Sequence, residues 1–309
     1  MNKEILNCAI ISPMFSFGSD RRSPELRTSE LKALMRYIFR IANTELMTSR
    51  LFEAEARRFG DAEKHASPVR LQMKPQPDKI MKQSYESLLL HEKKTKNTKN
   101  TKNKVPCFPT GESFQIVIRT KLDTDLAWYR EWITLSLILG GIGKRTRRGR
   151  GCVAVDNPNI TKQNILYWIA DRLNELNQGA SGQDTSSYKV LNNEIAANTQ
   201  LSRFKRPIIE KIKLGREIND INDFLTMVDI ASHEIKKNSS QFGSRFATGF
   251  AGKSQWRFAS SLIVSLTRTH DHAVFPVYTY VKAVHNRKEL DRNYQERDRF
   301  ISYIEGERH

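Results

Sequence analysis

The chain has 309 residues, 51 Lys and Arg against 34 Asp and Glu, a formal charge of +17, and 39% hydrophobic residues. That is enough apolar material for a packed core, but no apolar run nears the ~18 residues of a membrane span, and Lys3-Glu4 before the short run Ile5 to Ile11 does not suit a secretory signal. Cys8, Cys107 and Cys152 lie far apart with no CxxC pair, which argues against a structural zinc cluster or a disulfide framework and sets the expectation of a reducing, cytoplasmic location.

The excess of cations implies a polyanionic partner. Residues 1–160 hold 29 basic and 17 acidic groups and residues 161–309 hold 22 and 17, so the first half is expected to grip more strongly. The competing reading is a basic protein with no such partner.

Residues 5–15 read as a first strand closed by Pro13. Ser23 is placed as the N-cap of the next helix, with Pro24 at its first position and Glu25 in its first turn. Leu31, Leu34, Met35, Ile38, Phe39 and Ala42 share one face of that helix. Arg27, Lys32, Arg36 and Arg40 form a basic stripe beside it, either a phosphate track or a solvated face. Glu30 is the only carboxylate between Leu26 and Arg40, so pairing within the helix does not neutralise the stripe.

Residues 51–59 read as a helix ending at Gly60, and residues 67–73 and 113–120 as strands, with Phe114, Ile116 and Ile118 on one side. Between these strands, residues 93–104 carry three Thr-Lys-Asn copies with no apolar anchor, read as a mobile insertion that either adds diffuse attraction for a polyanion or is passive. Residues 125–139 form a second helix that runs into Gly140, and residues 152–155 a strand. This order of elements requires an antiparallel sheet with helices on one face, a ferredoxin-like α+β unit. The second half reads as a similar unit: helix 161–177, a polar linker 179–187, strand 208–214, helix 221–236, a Gly and Arg stretch 242–252, strands 258–266 and 274–284, and a charged helix 287–304. The expected organisation is therefore two ferredoxin-like units, residues 1–160 and 161–309.

The most informative stretch is residues 140–151, with Gly140, Gly141, Gly143, Gly149 and Gly151 interleaved with Lys144, Arg145, Arg147, Arg148 and Arg150. Glycines let a backbone approach a ligand and expose N–H groups, while guanidinium forks match phosphate, so the loop is expected to bind a nucleic-acid backbone. A nucleotide-binding P-loop fails on spacing: Ile138 stands where the first Gly belongs, Arg145 where Ser or Thr belongs, and the order of helix and strand is reversed.

A ribonuclease needs a positioned base, and His65, His91, His270 and His272 are the candidates. His270-Asp271-His272 lacks a third ligand at metal-binding spacing, so turn or surface roles are preferred and neither metal nor cofactor is expected. Asp20, Asp61 and Asp123 read as turn residues. Phe15, Phe17, Tyr37, Phe108 and Trp256 are stacking candidates, with core packing the commoner role. Phe17 and Trp256 are preferred for stacking because Gly and basic residues flank them, Lys253 and Arg257 in the second case.

Three segments, Pro24-Glu25-Leu26-Arg27 leading into residues 31–40, Glu55-Ala56-Arg57-Arg58-Phe59-Gly60, and residues 140–151, resemble in order the motifs of the RAMP superfamily of CRISPR proteins. Residues 256–262, Trp-Arg-Phe-Ala-Ser-Ser-Leu, resemble a later segment of that family. Within it, the chain looks most like the large first RAMP subunit of type III-B effector complexes. The resemblance implies a non-catalytic subunit of a cytoplasmic ribonucleoprotein, with guide RNA, target RNA and other RAMP subunits as partners, capping the assembly near the 3′ end of the guide. An endoribonuclease that processes guide RNA or cleaves target is the alternative. Carried over by position, Arg27, Lys32, Arg36 and Arg40 match the basic helix and residues 140–151 the loop. Lys32 stands where the family often has Arg, and the Thr-Lys-Asn insertion has no counterpart.

Overall fold

The computed structural model describes residues 2–20, 22–90, 104–178, 186–237, 248–251, 257–282, 284 and 295–307. The Thr-Lys-Asn repeats, the 179–185 linker and most of residues 238–256 and 285–294 lie outside the described residues.

The first sheet is built from β1 (Asn2–Ile10), β2 (Val69–Pro75), β5 (Ser113–Thr120) and β6 (Val153–Val155), in the order β2-β5-β1-β6 with every pairing antiparallel. The short hairpin of β3 (Ser84–Ser87) and β4 (Lys104–Cys107) stands apart from it. Helices α1 (Thr28–Ala42) and α2 (Thr48–Phe59) follow β1, and α3 (Asp123–Leu139) links β5 to β6. Strand order and helix placement are those of a ferredoxin-like unit. Alternation decides which face is inside: Leu6, Ile116 and Met73 stand in one cross-strand row and are all buried under the helices. Phe114, Ile116 and Ile118 are fully buried, each worth roughly 1.5–3 kcal/mol relative to exposure.

Helix α1 begins at Thr28 with Arg27 as N-cap, four residues beyond the Pro24 start expected from sequence. Pro24 instead forms a bridge with Phe17, the Glu25 N–H donates to Ser16 O, and the Ser16 hydroxyl donates to Glu25 O. Ser23 spends its hydroxyl on Asp20. The bridge to Phe17 outcompetes a local cap, so Pro24 to Leu26 stay outside the helix. Likewise β1 ends at Ile10, because Met14 leaves the sheet to pair with Phe108. Gly60 ends α2 as expected, with φ +78 and its N–H donating to Ala56 O.

In the second half, α4 (Ile165–Asn177) precedes the hairpin β7 (Tyr188–Leu191) and β8 (Glu194–Ala197), then β9 (Ile209–Leu214), α5 (Ile221–Lys237), the small pair β10 (Phe250–Ala251) and β11 (Arg257–Phe258), β12 (Leu262–Arg268), β13 (Val274–Val281) and α6 (Gln295–Ile304). The sheet runs β12-β13-β9-β8-β7 and is antiparallel throughout. Strands β9, β12 and β13 take the first three places of a second ferredoxin-like unit. The fourth is filled by β8, which precedes the unit in sequence. That hairpin escapes sequence reading because its strands are four residues long and flanked by polar residues.

The two sheets share material. Helix α3 packs against β1, β5 and β6 on one side and β12 and β13 on the other, and one apolar cluster extends from Leu6 to Val281. Burial on this helix extends well around it: Leu135, Leu137 and Leu139 are as buried as Tyr129 and Ile133. No described helix is long and apolar enough to cross a membrane.

Candidate nucleic-acid interface

The glycine-rich segment is the seam between the two units. After α3 the backbone doubles back on itself, with the Ile142 N–H donating to Gly151 O at 2.9 Å, and it is tied to the turn after β1 by Lys144 N–H to Phe15 O and Gly151 N–H to Pro13 O, each 3.0 Å. It then joins the second sheet: Arg148 forms a parallel bridge with Val264 on β12, closed by Gly149 N–H to Val264 O at 2.8 Å and Val264 N–H to Arg147 O at 3.3 Å.

This changes the reading of the glycines. Gly143 and Gly151 have φ of +97 and +67, and an added Cβ would lie 2.6 Å from Phe15 O and 1.9 Å from Ile142 O respectively. Close approach is required, as expected, but by the protein's own backbone. The amides of residues 142, 144, 148, 149 and 151 are engaged internally and offer no bare anion cradle.

The cations of the loop divide into two sets. Arg150, with its side chain 1% exposed, donates through both terminal nitrogens to the carboxylate of Asp229 on α5, at 3.2 and 2.6 Å. Arg145, held at φ +59, reaches the same carboxylate at 2.7 Å, and the Leu90 N–H donates to its other oxygen at 2.7 Å. Arg148 is buried and donates to the carbonyls of Arg147, Leu262 and Thr248. Burial, then the Arg145 and Arg147 charges, pull its pKa down to about 9, which leaves it protonated at neutral pH. Three guanidinium groups therefore face one carboxylate.

Lys144 and Arg147 make up the outward set. Lys144 is exposed with its Nζ 4.5 Å from the centre of the Phe17 ring, and Arg147 lies 4.9 Å over Tyr37 while donating to Ser260 O. Between α1 and the loop runs a groove of about 300 Å³, with Ala33, Leu34 and Tyr37 on one side and Gly141, Thr146 and Arg147 on the other. Glu30 also lines it. Burial raises the Tyr37 phenol pKa against the opposing pull of Arg147, so the ring stays neutral beneath the guanidinium.

The basic stripe of α1 does not stand free. Arg36 and Arg40 both donate to the buried carboxylate of Glu55 on α2, Arg36 at 2.8 Å and Arg40 at 2.5 and 2.7 Å. Arg36 also donates to the carbonyls of Phe59 and Gly60, at the negative end of α2. Arg27 bonds Phe17 O at 3.0 Å and reaches Glu30 at 3.4 Å. Pairing within α1 is indeed scarce, but a neighbouring helix supplies the carboxylate. Lys32 has no ion pair among the described residues.

Phe17, preferred from sequence as a stacking platform, is buried with Phe15 and Cys107 and is corrected to a packing residue, with Lys144 over its ring. Phe15 and Phe108 are also buried, while Tyr37 keeps a half-buried ring in the groove. Trp256, Lys253 and His91 lie outside the described residues, and Arg257 is described only as backbone paired with Ala251. His65 pairs with Asp61 at 2.9 Å in the turn after α2, and His270 with Asp156 at 3.6 Å. Among the described residues no three His, Cys, Asp or Glu side chains converge as a metal site.

Sequence reading missed Asp229, although a signal existed: it lies one turn after Leu225, beside Val228, so an acid was placed on the apolar face of α5. Glu55 was noticed only as part of a motif.

The family model for the RAMP superfamily matches residues 8–154. Among solved structures, Cmr1 from Pyrococcus furiosus is similar at 17% identity over 99% of this chain and 97% of that one, with a TM-score of 0.55. A chain of the type III-B Cmr-beta complex bound to cognate target RNA is similar at 11% identity over 97% and 99%, with a TM-score of 0.60. No curated protein sequence matches.

Proposed function

We propose that this protein, whose residues 8–154 match the RAMP superfamily model and whose fold is similar to that of Cmr1, is a non-catalytic RNA-binding subunit of a type III-B CRISPR effector complex. It binds the backbone of guide or target RNA in the groove between α1 and the glycine-rich loop, beside other RAMP subunits, and caps the assembly near the 3′ end of the guide.

The observation that carries this reading is the imbalance behind the groove wall. Among the described residues Arg145, Arg148 and Arg150 face only Asp229, so the seam keeps an excess of positive charge there, and Lys144 and Arg147 extend it to the surface. Charges held away from water are weakly screened and project into an adjacent cleft. A phosphate in the groove meets that field and the guanidinium of Arg147, and the exposed ammonium of Lys144, over Phe17, adds to the charge of the same loop. Such contacts position RNA without reading its sequence.

The test is equilibrium binding of single-stranded RNA to wild type and to the Lys144→Ala/Arg147→Ala variant across a salt series. Weaker binding and a log–log salt slope smaller by about 1.4, ~0.7 for each lost phosphate contact, are expected, with little dependence on RNA sequence. Unchanged affinity in a folded variant sinks the groove. Specific RNA cleavage by wild type that a single His or Asp substitution abolishes would instead establish the endoribonuclease.

A further inference from the structure

The face of the first sheet turned away from α1 and α3 has a composition that the groove does not explain. Outward positions are Lys3, Ile5, Asn7 and Ala9 on β1, Ser113, Gln115, Val117 and Arg119 on β5, and Arg70, Gln72 and Lys74 on β2. Four are cations and none is a carboxylate. Among the described residues, none of the four cations has an ion-pair partner.

The register makes the arrangement costly in the free protein. Arg119 stands directly opposite Lys3 on one side and Arg70 on the other, so three like charges form a single cross-strand row. Facing residues on adjacent strands have Cβ atoms only about 4.5–5.5 Å apart, where like charges destabilise a sheet. The next two rows are Ile5, Val117, Gln72 and Asn7, Gln115, Lys74. Gln115 Nε2 donates to Asn7 Oδ1 at 3.2 Å, while its Oε1 is buried with no hydrogen-bond partner among the described residues.

Beyond these rows the face opens into a cavity of about 220 Å³. Asn7, Ala9 and Ser113 of the sheet meet Arg268 at the end of β12 and His270 and His272 from the turn that follows it there, with Asp156 beside His270. The row of three cations, the amide row and this cavity are continuous along the strands. At about 3.3 Å per residue, the path from Lys3 to Ala9 is roughly 20 Å long.

We infer that this open sheet face is a second binding surface, for a single-stranded polynucleotide. It lies on the opposite side of the sheet from the groove and does not depend on it. Phosphates neutralise the Lys3, Arg119 and Arg70 row, the side-chain amides of Asn7, Gln72 and Gln115 meet sugar hydroxyls or base edges, and the strand runs on into the Arg268 cavity. A protein partner fits less well: the cores of protein interfaces are depleted in charge and enriched in aromatic residues, and this face has four cations, no aromatic ring and one exposed aliphatic side chain, Ile5.

The test uses the full chain carrying Arg70→Gln, Lys74→Gln and Arg119→Gln, beside the groove variant Lys144→Ala/Arg147→Ala. Single-stranded RNA of mixed sequence is titrated against each over a salt series, with poly-glutamate as the acidic-protein probe. The expected result is at least a tenfold loss of RNA affinity near 100 mM salt and a slope smaller by about 2, together with a melting temperature at or above that of wild type. Wild-type affinity and slope in the triple variant overturn the inference, and so does loss of poly-glutamate binding with RNA binding intact. Loss in the face variant alone leaves the second surface standing and removes the groove, and loss in the groove variant alone does the reverse.

Discussion

Arg150 and Asp229 form a two-point ion pair across the seam between the units, with side chains 1% and 0% exposed. A buried pair of this kind adds little net stability compared with an apolar pair, because desolvation offsets the attraction, but removing one partner strands the other. That asymmetry makes Asp229 a sensitive position for stability.

Asp229→Asn is expected to lower unfolding stability by about 3–5 kcal/mol, since Arg150 and Arg145 both lose their carboxylate. Denaturant unfolding measures this directly. Adding Arg150→Met to the Asn variant is expected to recover part of the loss; no recovery would show that the seam does not depend on charge pairing.

Arg147 and Arg148 are adjacent in sequence yet expected to behave oppositely. Arg148→Ala removes the guanidinium donor from the carbonyls of Leu262 and Thr248 and opens a cavity, for a loss of about 2–4 kcal/mol in stability. Arg147→Ala acts mainly on RNA affinity, with a smaller change in melting temperature. Thermal melts and RNA titrations on the two single variants separate these effects, and equal melting temperatures would contradict the burial of Arg148.

Stability is also expected to depend on pH through Glu296 on α6. Burial raises its pKa to about 7, against the opposing pull of Arg299. A free glutamate titrates near ~4.3, so between those values the folded protein holds a proton that the unfolded chain has released. The contribution is fully present below about 4.3 and is lost as pH rises through about 7. Glu296→Gln is therefore expected to raise the melting temperature at pH 8 and to flatten its dependence on pH between 5 and 8; a parallel wild-type curve would refute the assignment.

How much of this was legible in the sequence depends on the range of the interaction. The first unit could be read because its signals are local: Phe114, Ile116 and Ile118 alternate, Leu31 to Ala42 repeat at helical spacing, and Gly60 stops a helix. The start of α1 was misread because Ser23, Pro24 and Glu25 satisfy every local rule for an N-terminus, while the Phe17 bridge that overrides them depends on tertiary pairing. The loop at residues 140–151 was located correctly, but its glycines and three of its arginines serve internal packing. Nothing within twelve residues reveals that Asp229, about eighty positions later, will occupy the guanidinium forks an RNA phosphate was expected to fill.

The bridge between Arg148 and Val264 has a mechanical corollary. A chain whose two halves are laced backbone to backbone, with a shared helix beneath the lacing, has no hinge where they meet. It cannot close like a jaw around a polymer. An RNA strand bound along it, as proposed, is then expected to take up the bending itself.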